Sequence, residues 1–178
     1  VVTSVSALRE LAEQLAAICS FSDRPFIALT RNAAGPNAVT LTDALPDPLQ
    51  HERLLHSALF HEASFGLMQF HHRFAREYLA ACWVRKRIDA GLPLSRAMKL
   101  FFQSYLDNSI LLESRIAELS WLASMHAGVR ELAIHSFPEI ALCEGDPARW
   151  GESQLLDALD AYIHRIHTDR YLKLHGDW

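Results

Sequence analysis

Residues 78–84 read Tyr-Leu-Ala-Ala-Cys-Trp-Val, seven apolar side chains in a row. The surrounding pattern predicts a helix over residues 73–90, and in a helix such a run covers every face. That helix must therefore be enclosed by other elements on most sides. Its end is well marked. Arg85, Lys86 and Arg87 complement the helix dipole, Gly91 suits a left-handed cap, and Pro93 stops continuation. Half of the chain's 178 residues are apolar, enough for a real core, and 21% are charged, as in an ordinary globular protein.

The remaining segments arrange themselves around that helix. Leu8, Leu11, Leu15, Ile18 and Cys19 form one face of a helix over residues 6–20. Residues 26–29 read as a strand after Pro25, residues 31–36 as turn-rich, and residues 39–41 as a partner strand. Asp47 and Pro48 open a second helix, with Leu55, Ala58 and Leu59 facing inward and an end near Ser64. Residues 66–71 read as a strand or wing. Beyond Pro93 the pattern is helical throughout. Met98, Phe101, Phe102 and Tyr105 make one stripe. Leu112, Ile116, Leu119 and Ala123 make another, capped by Asn108 or Ser109. Val129, Leu132 and Ala133 lie on a short helix ended by Pro138. Leu155, Leu156, Leu159, Tyr162 and Ile166 lie on a last helix capped by Ser153. Such helices with short links suggest stacked antiparallel pairs, although no clear repeat period is present.

Several function classes lose support at this stage. A net charge of −4 offers no electrostatic case for nucleic acid or an anionic membrane. No stretch approaches about 20 uninterrupted apolar residues, so no membrane span is expected. Cys19, Cys82 and Cys143 are odd in number and far apart, which favours reduced, buried thiols in a cytoplasmic protein over a disulfide framework. The chain starts Val1-Val2 without a Met, which reads as a piece of something longer.

The segment Phe70-His71-His72-Arg73-Phe74-Ala75-Arg76-Glu77-Tyr78-Leu79-Ala80-Ala81 resembles the signature that closes the winged-helix region of NACHT-type STAND ATPases, bacterial ones in particular. That pattern is Phe-x-His, four further residues, then Glu-Tyr-Leu-Ala-Ala. Phe70, His72, Glu77, Tyr78, Leu79, Ala80 and Ala81 fall in register, while Ala75 stands where the family often has a large apolar residue. Residues 54–60 also resemble the helix leading into that wing. A looser likeness covers Pro138-Glu139-Ile140-Ala141-Leu142 and Gly145-Asp146-Pro147, after Trp121-Leu122-Ala123. It is similar to the helical array that follows the winged helix in bacterial members.

The resemblance implies a mainly α fold. Residues 1–92 would form a winged-helix-like subdomain with a short β-hairpin or wing, and residues 93–178 a HEAT-like antiparallel helical array. It implies a regulatory and oligomerisation module of a signal-transduction ATPase that exchanges ADP for ATP, with bacterial defence as the biological setting. Its partners would be a nucleotide-binding domain upstream in the same chain, other proteins, or further copies of itself. His72 would point at the phosphates of the nucleotide held by that upstream domain. A ring N–H to a phosphate oxygen is worth roughly 1.5–3 kcal/mol. Switching a population fully needs about 5.5 kcal/mol, so one such contact is a sensor and not the whole switch. The competing reading of His72 is a half-buried residue that fixes the wing to the helix. Glu77 has two readings also, a local pair with Arg73 or a bridge to a neighbouring domain.

A phosphate-binding loop needs a Gly directly before its Lys, and none of Lys86, Lys99 or Lys173 has one. ATP hydrolysis by this chain alone is therefore not expected, and neither is a cofactor of its own; ATP or ADP would belong to the full-length protein. His164 and His167 share a helix and His71 and His72 are adjacent, yet neither pair has a third ligand at a recognisable spacing, so no metal site is expected. No serine sits in a nucleophile-elbow glycine pattern. Two alternatives stay open. One is a winged-helix DNA-binding protein using the helix near residues 51–64, whose single Arg53 against Glu52 and Glu62 argues against it. The other is a free-standing helical adaptor that binds proteins.

Overall fold

Two long helices, α1 (Val5–Phe21) and α4 (Arg73–Asp89), pack against each other and supply the centre of the first of two units. The computed structural model describes residues 4–45, 47, 51–105, 108–143 and 145–168. The chain divides into Val1–Leu100 and Phe101–Trp178, whereas the sequence pattern puts a boundary at residues 92 and 93. The helix α5 (Leu94–Met98) falls in the first unit, where it packs on α4 and buries Ala97 and Met98.

Small side chains explain how α1 and α4 come close. Ala12, Ala16 and Ala17 on one helix and Ala80 and Ala81 on the other are all buried, with Leu15, Leu79, Cys82 and Val84 filling the space around them. Ser4 caps α1, its Oγ accepting from the Ala7 amide at 3.1 Å. A buried carboxylate adds specificity. Glu13 is 1% exposed and takes Arg9 Nε at 2.9 Å from its own helix and Lys86 Nζ at 2.6 Å from α4. The α4 terminus closes as a Schellman motif. Gly91 has φ +102°, its N–H donates to Ile88 O, and the Leu92 N–H donates to Arg87 O.

A four-stranded sheet lies in the same unit. Its strands are β1 (Phe26–Ala28), β2 (Ala38–Thr40), β3 (Phe60–Ser64) and β4 (Leu67–Phe70), in the order β2-β1-β4-β3. β2 runs parallel to β1; the other two pairings are antiparallel. Two short helices, α2 (Leu41–Ala44) and α3 (His51–Leu55), stand between β2 and β3.

Here the expected helix ending near Ser64 is corrected. α3 stops at Leu55, and residues 60–64 are a strand. Ser57 Oγ donates to Leu54 O at 2.6 Å, a local bond that competes with the helix ladder. The Phe60 ring meets the Phe70 ring across the hairpin at 4.5 Å, a cross-strand pairing that fixes the register. Leu54 is the buried residue; Leu55 and Leu59 are half-buried and Ala58 is exposed. Of the expected start at Asp47 and Pro48, Pro48 lies outside the described residues.

In the second unit, β5 (Phe102–Tyr105) and β6 (Asn108–Leu111) form an antiparallel hairpin. This corrects the continuous helical reading beyond Pro93, and it moves Asn108 and Ser109 from a helix cap into a strand. The helices α6 (Ile116–Met125), α7 (Ala127–Ser136) and α8 (Glu152–Thr168) follow, with 3-10 turns at Glu113–Arg115, Pro138–Leu142 and Pro147–Arg149. Phe101, Leu119, Leu122, Val129, Ile140 and Trp150 lead the core. Ser153 lies inside α8 and does not cap it. Gln154 reaches back instead, its Oε1 accepting from the Gly151 N–H at 3.2 Å. The inward face expected for α8 is also corrected, since Ala158 is its buried residue while Leu156 and Leu159 are exposed. Among the described residues the protein is mainly helical, with eight α-helices, and no helix is long and apolar enough to cross a membrane.

Candidate functional site

The return strand of the hairpin delivers the motif residues to the start of α4. Phe70 is buried at the end of β4. The His71 N–H then donates to Leu59 O at 2.7 Å, which holds the chain as it leaves the sheet. His72 follows in extended conformation, φ −125° and ψ 129°, as the residue preceding α4. Its side chain makes no cap hydrogen bond and is exposed. The half-buried, wing-fixing alternative therefore does not describe it.

Three imidazoles line up at this corner. The His72 ring meets the His71 ring edge-on at 4.4 Å, and His71 meets His61 of β3 edge-on at 5.2 Å. The first turn of α4 carries no acidic residue. It carries Arg73, and Arg76 follows, both at the positive end of the helix dipole, where cations are disfavoured and anions are favoured. Glu77, 1% exposed, pairs with Arg73 one turn earlier. That is the local partner considered for it from the sequence.

The rest of the first motif packs. Leu79, Ala80 and Ala81 are buried in the core with α1, and Tyr78 is half-buried against it. A hydrogen bond to the Cys82 thiol, then burial, raises the Tyr78 phenol above its ordinary range. Burial pushes the Cys19 thiol up to about 12, against a smaller downward pull from the Arg76 cation.

A cavity of about 180 Å³ opens beside the imidazole row, lined by Pro25, Phe70 and the polar side chains His61, Gln69, His71, Arg73 and Arg76. His72 is not part of its lining. His61, Gln69 and Arg76 were not singled out from the sequence. Residues 60–64 read Phe-His-Glu-Ala-Ser, with no strand alternation to flag them, and only the pairing of β3 with β4 sets His61 opposite Gln69.

The second motif lies in the other unit and is structural. Pro138 is buried and opens the Pro138–Leu142 turn. Gly145, at φ +99°, presses on α6: a Cβ there would stand 2.6 Å from Ser124 Oγ and 2.8 Å from Ser120 O. The Asp146 N–H donates to Ser124 Oγ at 2.9 Å. The Asp146 carboxylate accepts from the Ala148 N–H at 3.2 Å, and Pro147 begins the short turn that follows. Arg130, which the sequence did not single out, closes α6 by donating to Ala123 O and Ser124 O while its guanidinium lies over the Trp150 ring.

Comparison of the chain with family models, with curated proteins and with solved structures found no match. The cysteines are free thiols, Cys19 and Cys82 buried and Cys143 exposed. Among the described residues no three His, Cys, Asp or Glu side chains gather as a metal site.

Proposed function

We propose that this chain is a regulatory, non-catalytic module of a NACHT-type STAND ATPase, with a winged-helix-like first unit and a helical second unit related to HEAT arrays. His72 is its phosphate sensor. The observation that carries the reading is the position of His72, exposed and uncapped where the hairpin meets α4, with cations and no carboxylate in the first turn. A nucleotide phosphate presented there by another domain would meet an imidazole and a helix N-terminus together. The β3–β4 hairpin after two short helices supports the winged-helix reading.

The test is the gene upstream of this segment. A strand followed by a phosphate-binding loop, ~200–300 residues before His72, is expected. A gene encoding no nucleotide-binding domain there would end the proposal.

A second reading, a protein-binding adaptor, is favoured by one specific observation. Leu156, Leu159 and Ile163 form an exposed apolar stripe on α8 at helical spacing. The DNA-binding reading loses its main element, because the described helix at residues 51–64 is the five-residue α3, followed by a strand.

A further inference from the structure

We infer that α8 is a self-association surface that pairs antiparallel with α8 of a second copy of this chain. An ordinary surface helix turns its apolar face to the core. α8 does the reverse. The side chains it sends to the body of its unit are small or polar. Ala158 is its buried residue. Gln154 accepts from Arg130 at 3.3 Å, and Arg165 donates to Ser136 O at 3.0 Å and to the Glu139 carboxylate at 3.1 Å. The large apolar side chains are left outside. Leu156, Leu159 and Ile163 are 56%, 40% and 45% exposed, and Leu155, Tyr162 and Ile166 are half-buried. Among the described residues no other helix leaves three large apolar side chains exposed.

Spacing and charge select the occupant. Leu156, Leu159, Ile163 and Ile166 follow one another at intervals of three, four and three residues, the spacing of a seam between two helices. Such a stripe is complementary to itself when the second helix runs the other way. Leu159 then sits against Ile163 of the second copy, and Leu156 against its Ile166. The exposed polar groups are divided along the helix. Glu152 and Asp157 lie in the N-terminal half, and His164 and His167 in the C-terminal half. Antiparallel pairing sets carboxylates opposite imidazoles and opposes the two helix dipoles; parallel pairing sets acid beside acid. Two features keep the pair weak. Asp160, at the middle of α8, is brought near its own copy, and one helix supplies less than the roughly 800 Å² per partner of a stable interface. A Kd on the order of 10–100 μM follows. The inference rests on the same stripe as the protein-binding reading and names its partner; it does not involve the nucleotide.

The test is sedimentation equilibrium of the 178-residue chain from about 5 to about 500 μM, a range that brackets the expected Kd. A monomer–dimer equilibrium is expected, weakened tenfold or more by Leu159→Glu and by Leu156→Gln. Leu156→Gln, at the more exposed position, guards against a folding defect in the first variant, and thermal melts verify both. Phe65→Gln removes the most exposed large apolar side chain of the other unit and should dimerise within twofold of the parent, which separates the stripe from general stickiness. Orientation is read by disulfide cross-linking in a Cys143→Ser background, because that thiol is exposed. Ser153→Cys and His167→Cys proteins should cross-link when mixed, and far less when each is alone. A monomer throughout the range, parent-like dimerisation in both stripe variants, or cross-links within each variant alone and not in the mixture overturns the pairing. If the chain is monomeric and the stripe variants melt as the parent does, the surface remains open to another protein. If it is monomeric and they melt well below the parent, the stripe is covered within the chain and the protein-binding reading ends with the pairing.

Discussion

The two units distribute apolar and charged side chains in opposite ways. The first encloses its apolar residues between α1, α4 and a sheet, and gathers charge at a cavity beside the hairpin. Its large exposed apolar side chains are scattered: Val5, Leu29, Phe65 at the hairpin turn and Phe74 on α4. The second has shorter α6 and α7 joined to α8 by 3-10 turns, and leaves Leu156, Leu159 and Ile163 exposed along α8. The difference teaches where each unit can interact. The first gathers cationic side chains around a pocket beside its hairpin, and the second leaves an apolar stripe exposed on α8.

The sharpest way to break that contrast is a pair of leucine truncations. Leu15 is fully buried, and Leu15→Ala should cost about 2–5 kcal/mol in urea unfolding. Leu156 is 56% exposed, and Leu156→Ala should stay within about 0.5 kcal/mol. Similar costs for the two would show that the α8 stripe is covered and the contrast false.

Next in size is the charged contact between α1 and α4. Removing both cations by Arg9→Ala and Lys86→Ala strands the buried Glu13 carboxylate and should cost about 3 kcal/mol. Either change alone leaves one partner and should cost about 1 kcal/mol or less. A double-mutant cycle measures the excess, and simple additivity would mean that Glu13 is hydrated.

The glycines sharpen the comparison further. Gly145→Ala sets a methyl group against Ser124 and the α6 backbone and should cost about 2 kcal/mol or more. Gly91 has a similar φ but open space around it, so Gly91→Ala should cost only about 1 kcal/mol. Equal costs would mean that the 145–147 loop does not press on α6.

The smallest effect at neutral pH belongs to the thiols. Cys143 should react readily with a thiol reagent, while Cys19 and Cys82 react only as the protein opens. Because the folded Cys19 pKa is raised, from 9.0 to about 12, its contribution to stability is intact below pH 9.0 and is lost as pH rises toward about 12. Thermal melts across that window should fall; a flat profile would contradict the burial of Cys19.

How much of this was legible follows from which forces are local. α1 and α4 were readable because their apolar spacing, caps and Gly91 all act within one segment. Residues 56–64 were misread because Leu55, Ala58 and Leu59 have helical spacing, while the strand depends on pairing with residues 67–70. The same holds for Phe102 and Tyr105, whose hairpin partner is residues 108–111. The exposure of Leu156 and Leu159 depends on what packs beside α8, which spacing along one helix does not reveal. His72 stood out by resemblance alone. The cavity was invisible because His61 and Arg76 lie on elements whose adjacency is set by the sheet order.

The proposed sensor role of His72 is best interrogated by ADP release, followed by stopped flow with a fluorescent analogue, from a protein that carries this module behind the nucleotide-binding domain the proposal requires, with and without His72→Ala. Losing one charge-assisted contact should speed release roughly 10- to 150-fold. Release at the parent rate would mean that no nucleotide phosphate meets this imidazole.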